Sequence, residues 1–292
     1  MKKNCYFCNN VKYLLRKYPW PLFSRAYTYI FGRPSMQFLN DIVLRLALHG
    51  RGYNNCCSPD ESGESKFIHR LTKFNPKLCI DIGANKGLYS KVILESTDSY
   101  VIAFEPLPIS FTYMNDLLLK YKHRSHLINK GVGDKNAELM LSFGATSTEL
   151  ASFNDAVNQI DYVKLSNTKK IKVPVVTLDS FMESFKLDFD EIDLIKIDTE
   201  GYEYQVLLGA TNTIRSYRPK FIQIEYNWHQ LFTGQSLFQF SNLLENYQVY
   251  QILPYGEGLI SRDLKTPDAN IFLYSNFVFI RDDISSLYFN GL

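Results

Sequence analysis

The chain has 292 residues, with 32 Lys or Arg against 30 Asp or Glu, a formal net charge of +2 and 46% hydrophobic residues. Such a composition belongs to a folded protein with a substantial core and excludes a long disordered, collagenous or low-complexity chain. A charge this close to zero gives no support for a nucleic-acid polymer as partner.

The balance is uneven along the chain. Residues 1–51 carry nine Lys or Arg and one acid, Asp41, a net of +8, whereas the remainder carries 23 basic and 29 acidic residues, a net of −6. No apolar run follows Met1-Lys2-Lys3 before Lys12, so no secretory leader is expected. No stretch approaches the roughly 18 apolar residues of a spanning helix. A soluble, cytoplasmic protein is the expectation. Cys5 and Cys8 form a lone CxxC, with Cys56, Cys57 and Cys79 elsewhere. An odd count in a chain this long reads as reduced thiols rather than a disulfide framework, with zinc disfavoured for want of a second pair. Phe38 to Leu48 reads as a buried helix, ended by His49-Gly50-Arg51-Gly52. Residues 1–55 are expected to form a basic, aromatic-rich helical extension, and 56–292 a second domain. Three uses fit the extension: a helical lid with solvated bases, a site for an anionic acceptor, or a peripheral contact with the inner face of an anionic membrane.

Ser62 is placed to cap a short helix with Phe67, Ile68 and Leu71 on its apolar face. From Leu78 the pattern alternates. Strands are expected at 78–82, 100–104, 126–132, 138–143, 173–178, 192–197 and 221–225. Helices fall between them, one with Met114 and Leu118 inward and one stepping through Tyr202, Val206, Ala210 and Ile214. Residues 247–253 and 276–280 read as an antiparallel pair. Alternation at this spacing predicts a doubly wound α/β domain with a mostly parallel sheet.

The strongest local signal is Cys79-Ile80-Asp81-Ile82-Gly83-Ala84-Asn85-Lys86-Gly87, a buried strand running into a glycine-bearing turn and then a helix. Gly83 and Gly87 let backbone approach a ligand, and the helix start favours negative charge there. The dinucleotide fingerprint fails, because Asn85 and Leu88 stand where its second and third glycines belong. This disfavours a dinucleotide oxidoreductase. Glu105 follows Gly83 by 22 residues, at the end of the next strand, where an acid can accept hydrogen bonds from ribose hydroxyls.

The segment Asp81 to Ser90 resembles the first motif of the FkbM family of S-adenosylmethionine-dependent methyltransferases. Ile195-Lys196-Ile197-Asp198-Thr199-Glu200-Gly201-Tyr202-Glu203 with Val206 to Ala210, Val173 to Phe181, and Arg218-Pro219 with Ile222 to Glu225 resemble later family segments in the right order. The resemblance runs from about Ser62 to Asn227. It implies a class I methyltransferase (Rossmann-like) fold with S-adenosylmethionine as cofactor. It further implies that Asp81, Gly83, Asn85 and Gly87 line the methionine end, that Glu105 takes the ribose and that Asp134 lies near the adenine. Family members mostly O-methylate hydroxyls of sugars or polyketide-type products, which implies a small-molecule, lipid-linked or nucleotide-linked sugar acceptor in surface polysaccharide or glycosylated metabolite biosynthesis. A non-sugar natural product, or a catalytically inactive binding protein of the same fold, is the alternative.

Transfer to a hydroxyl benefits from a base. Asp198 and Glu200 end the strand at the crevice, sharing a face at i and i+2, and Glu225 ends the next strand. His229 follows four residues later and suits proton abstraction. The three carboxylates are also the candidate ligands of a divalent metal. Asp198 reads equally as a helix cap and Glu200 as a first-turn charge. Tyr226, Trp228 and Tyr202 are candidates for a wall stacked on a sugar ring, or for core.

Overall fold

The computed structural model describes residues 20–55, 58–145, 148–185, 189–256 and 258–290. They fall in two compact units, one ending at Arg51 and one beginning at Gly52. The CxxC at Cys5 and Cys8, the pair Cys56 and Cys57, and the basic residues before Trp20 lie outside the described residues. Cys79 is a buried free thiol.

The described part of the first unit, from Trp20, is a helical hairpin. Helices Trp20–Phe31 and Gln37–Gly50 are joined through a short turn at Pro34–Met36. The Tyr27 hydroxyl donates to Asn40 Oδ1 at 2.7 Å, and Asn40 Nδ2 donates to the Phe31 carbonyl at 3.0 Å. The second helix was expected to be buried, and it is not: Phe38 is 78% exposed and Leu46 67%. A two-helix hairpin by itself has no second layer to cover an apolar face this broad.

The described residues of the second unit hold eleven strands: β1 Leu78–Ile82, β2 Tyr100–Phe104, β3 Ser125–Ile128, β4 Gly131–Val132, β5 Ala137–Phe143, β6 Lys169–Val176, β7 Leu194–Ile197, β8 Phe221–Tyr226, β9 Tyr247–Ile252, β10 Leu259–Ser261 and β11 Ser275–Arg281. The main sheet has the order β10-β9-β11-β8-β7-β1-β2-β3. β3, β2, β1, β7 and β8 run parallel, with Ile80 beside both Ile102 and Ile195. β11 is antiparallel to β8 and β9. This is the class I methyltransferase fold: a mixed, mostly parallel sheet with antiparallel C-terminal strands. The central strands are buried on both faces, as helix-covered parallel strands must be. On one face Cys79, Val101, Leu194, Phe221 and Val278 pack with Phe67, Ile93, Met114 and Tyr288 from the flanking helices.

Four local expectations change. The 126–132 strand divides, because Asn129 Nδ2 donates to the carbonyls of Glu105 and Pro106 (2.8 and 3.1 Å) and turns the chain out of the main sheet. β4 then joins β6 and β5 in a separate three-stranded sheet, which also takes the 173–178 segment. Its last residues turn into a helix, Leu178–Ser184, capped by Thr177. The helix through Tyr202 and Ile214 is two helices, Glu203–Leu208 and Thr211–Tyr217. They part at Gly209, where a Cβ would lie 1.9 Å from the Gly133 carbonyl oxygen. The Glu64–Leu71 helix buries Phe67, Ile68 and Leu71 as expected, but its cap position is Gly63 at φ +85°, not Ser62. Among the described residues no helix is long and apolar enough to cross a membrane.

Candidate active site

The sheet order reverses direction between β1 and β7, and the carboxyl ends of these strands frame a crevice. Gly83 leaves β1 with φ +81°, and a Cβ there would stand 1.7 Å from the Asp198 carbonyl oxygen. Only a bare backbone allows the two strand ends to touch. Asn85 also sits in the left-handed region (φ +47°), where asparagine is among the better tolerated side chains. Its amide donates to Glu105 Oε2 at 2.8 Å, and its Oδ1 accepts from Thr148 Oγ1 at 3.0 Å.

Two cavities flank this loop. The first, of about 170 Å3, runs from Gly83, Asn85 and Glu105 past Lys130–Val132 to Phe153, Asp198 and Glu200. The second, of about 260 Å3, is bounded by Glu64, Ile68, Lys86, Tyr89, Lys196 and Asp198. Gly83, Asn85, Glu149 and Asp198 line both. Glu105 is nearly enclosed, and its other oxygen accepts from the Leu107 amide at 2.8 Å. Burial pushes its carboxyl up to about 7, against the pull of those two amides.

Three of the residues expected at the cofactor stand apart from these walls, Gly87 among them, where a Cβ would meet the Met114 side chain at 2.7 Å rather than enter either cavity. Asp81 is fully enclosed one layer below the loop, where Oδ2 accepts from Ser90 Oγ at 2.6 Å and Oδ1 has no hydrogen-bond partner. It ties β1 to the start of the following helix. Asp134 is exposed, 3.5 Å from the Tyr202 hydroxyl, and the far end of the first cavity is walled by Lys130–Val132 instead.

Asp198, Glu200 and Glu225 each bring a carboxylate oxygen within 4.8 Å of the others. Burial raises the proton affinity of Glu200 and Glu225 well above the ordinary range, and Asp198 adds to it in both. The Lys196 ammonium lies 2.7 Å from Asp198 Oδ2. Burial works against its charge, but Asp198, Asp81 and Glu64 outweigh burial and keep it protonated. Three carboxylates facing one buried ammonium make a site for a further cation, whether a sulfonium or a divalent metal. The turn carrying Asp198 and Glu200 is built by Glu203, which accepts from the Thr199 amide at 2.8 Å and the Gly201 amide at 3.1 Å. It holds Glu200 at φ +53°, an unusual conformation for a glutamate.

His229 is 1% exposed and lines neither cavity. Its Nδ1 lies 3.0 Å from Glu200 Oε2, without hydrogen-bond geometry, and its Nε2 lies 2.9 Å from the Tyr162 hydroxyl. Burial lowers its affinity for a second proton, against the pull of Glu203 and Asp198. Trp228 Nε1 donates to the same Tyr162 hydroxyl at 2.7 Å, and the two rings stack at 5.0 Å and 8°. With the tyrosine proton directed to Nε2, the imidazole proton sits on Nδ1, toward Glu200. Tyr226 is fully buried and donates to the Gln235 carbonyl at 3.3 Å, so it belongs to the core. Tyr202 packs against Phe153 rather than beside Trp228.

The family profile described as the methyltransferase FkbM domain matches residues 81–252. The chain belongs to the FkbM methyltransferase family. It is an S-adenosylmethionine-dependent methyltransferase. No curated protein matches it in sequence. Among solved structures it is similar to a putative O-methyltransferase from Klebsiella pneumoniae, at 12% identity, covering 82% of this chain and 89% of that one with a TM-score of 0.41. It is similar to the O-methyltransferase from Bacillus cereus in complex with SAH, at 12% identity, 82% and 90% coverage and a TM-score of 0.38. It is also similar to the N-methyltransferase NodS from Bradyrhizobium japonicum, at 11% identity, 77% and 98% coverage and a TM-score of 0.41.

The residues of this FkbM methyltransferase fit the cofactor. Bare backbone at Gly83 opens onto both cavities, an enclosed carboxylate stands at the ribose offset, and an excess of carboxylates awaits the sulfonium charge. Lys196, Glu64, Glu149, Glu203 and Tyr162 escaped the sequence reading. Lys196 alone carried a local signal, as a lysine inside an otherwise apolar strand.

Proposed function

We propose that the protein transfers the methyl group to a sugar hydroxyl, with Glu200 as the proton acceptor. The observation that carries this reading is Glu200 itself: a carboxylate of raised proton affinity in the cavity wall, backed by His229. The cofactor supplies an activated methyl group on a sulfonium. Glu105 would accept from the ribose hydroxyls in the first cavity. Glu64 and Asp198, with Lys86 and Lys196, offer the second cavity both charges that an amino acid end requires. The ammonium of Lys196 favours the ionised form of Glu200. Glu200 would take the hydroxyl proton as the methyl carbon passes from sulfur to the acceptor oxygen, the sulfur leaving as the thioether. Alignment and exclusion of water do the rest.

His229 thereby moves from base to positioning residue, because it is walled off from both cavities. Its imidazole packs beside the Glu200 carboxylate at 3.0 Å, and Tyr162 orients the imidazole. Trp228 is 41% exposed and Tyr162 36%, a rigid aromatic pair two contacts from the cavity. Such a pair suits the C–H face of a pyranose.

The test is methyl transfer from labelled S-adenosylmethionine to nucleotide sugars, lipid-linked sugars and non-sugar alcohols and phenols, with products read by mass spectrometry. Methylation of a sugar oxygen is expected. Products only from the non-sugar panel would overturn the sugar, and no transfer despite a thermal shift with S-adenosylhomocysteine would overturn catalysis.

A further inference from the structure

The exposed large hydrophobic side chains are not evenly spread. Twelve of them fall within residues 22–46, and sixteen are scattered over the second unit. In helix Trp20–Phe31 the polar residues Ser24, Arg25 and Thr28 occupy one side, and Leu22, Phe23 and Ile30 the other. In helix Gln37–Gly50 the polar side carries Asp41, Arg45 and His49, and Leu39, Val43 and Leu46 turn away from it. Exposed apolar stripes of this density mark an interaction surface.

Charge selects the occupant. Residues 1–51 carry nine basic side chains against one acid. Two copies of this segment would bring a net +8 against a net +8. A bilayer with anionic headgroups takes the apolar stripes and the positive charge together. The helices are 12 and 14 residues long, about 18–21 Å at 1.5 Å per residue, well short of a bilayer core of about 30 Å. They suit lying in the interface, not crossing it. Tyr27 and Tyr29 are exposed on the same hairpin, and rings with a polar tip favour the headgroup level.

We propose that the 20–50 hairpin docks this methyltransferase on an anionic membrane surface. The experiment is co-sedimentation of the full chain with vesicles of phosphatidylcholine alone or with 30% phosphatidylglycerol. Pelleting with the anionic vesicles is expected, weakening as NaCl rises from 0.1 to 0.5 M. Arg25→Gln/Arg33→Gln/Arg45→Gln should lower partitioning on the order of a hundredfold, at about fivefold per charge. Leu39→Glu/Leu46→Glu should abolish it. Both variants should keep the thermal shift with S-adenosylhomocysteine, which reports an intact second unit. Equal pelleting with neutral and anionic vesicles overturns the proposal. So does a salt-independent wild type, which needs no variant to fold. Self-association in sedimentation velocity that Leu39→Glu/Leu46→Glu removes, without vesicle binding, assigns the surface to a second copy instead.

Discussion

Replacing Glu105 by glutamine separates stability from cofactor binding. Burial raises this carboxyl from its ordinary 4.5 to about 7. The folded chain therefore holds the proton more tightly than the unfolded chain does. Below pH 4.5 the two states are protonated alike, and stability falls as pH climbs from 4.5 to 7. Above 7 a constant cost of about 3 kcal/mol remains. Glu105→Gln removes that cost but leaves one of the amides of Asn85 and Leu107 without its acceptor, a loss of about 1–3 kcal/mol. The variant should melt no lower than wild type at pH 8. Its affinity for S-adenosylhomocysteine should nevertheless fall about 10–100-fold, since an ionised acceptor for the ribose is gone. In wild type, affinity should weaken below pH 7 by up to tenfold per pH unit, as the carboxylate takes up its proton. In the variant this profile should be flat. Calorimetric titration between pH 5.5 and 8.5 measures both. Wild-type affinity with an unchanged pH profile in Glu105→Gln would refute the assignment.

Glu200→Gln should lower kcat about 10²–10⁴-fold with little change in cofactor affinity, whereas His229→Gln should lower it less and shift the pH–rate profile. Equal losses from both would make His229 the proton acceptor. Gly83→Ala meets both the Asp198 carbonyl at 1.7 Å and a φ of +81°; a loss of about 2–4 kcal/mol in urea denaturation is expected, and a wild-type midpoint would show that the strand ends can part freely. Trp228→Ala should raise KM for a sugar acceptor about tenfold while calorimetry shows unaltered cofactor binding; an unchanged KM removes the aromatic pair from the acceptor site.

The sequence made the sheet legible where residues alternate or run apolar between glycines, and the first loop legible because Gly83, Asn85 and Gly87 each answer a backbone demand. Pairing between distant segments was not. Nothing local tells that β6 leaves the main sheet, or that Gly209 must admit the Gly133 carbonyl. The site divided along the same line. Asp198, Glu200 and Glu225 follow from being the last residues of neighbouring strands. Whether His229 faces the cavity or the protein depends on a five-residue helix, His229–Thr233, whose direction the preceding residues do not encode. Trp228 could be singled out as an aromatic just past the strand that ends at Glu225. Tyr162, its stacking partner, stands 66 residues earlier in a stretch with no distinguishing pattern.

β11 is made after β8 and β9 and lies between them. Every one of its seven residues is buried. A chain emerging from the ribosome therefore presents two open strand edges until residues 275–281 arrive, and each edge is a template for pairing with another chain. The sheet closes by insertion, not by addition at a rim. Newly made protein should thus be most prone to aggregation between the appearance of β8 and that of β11, with the cofactor loop already complete some 190 residues upstream.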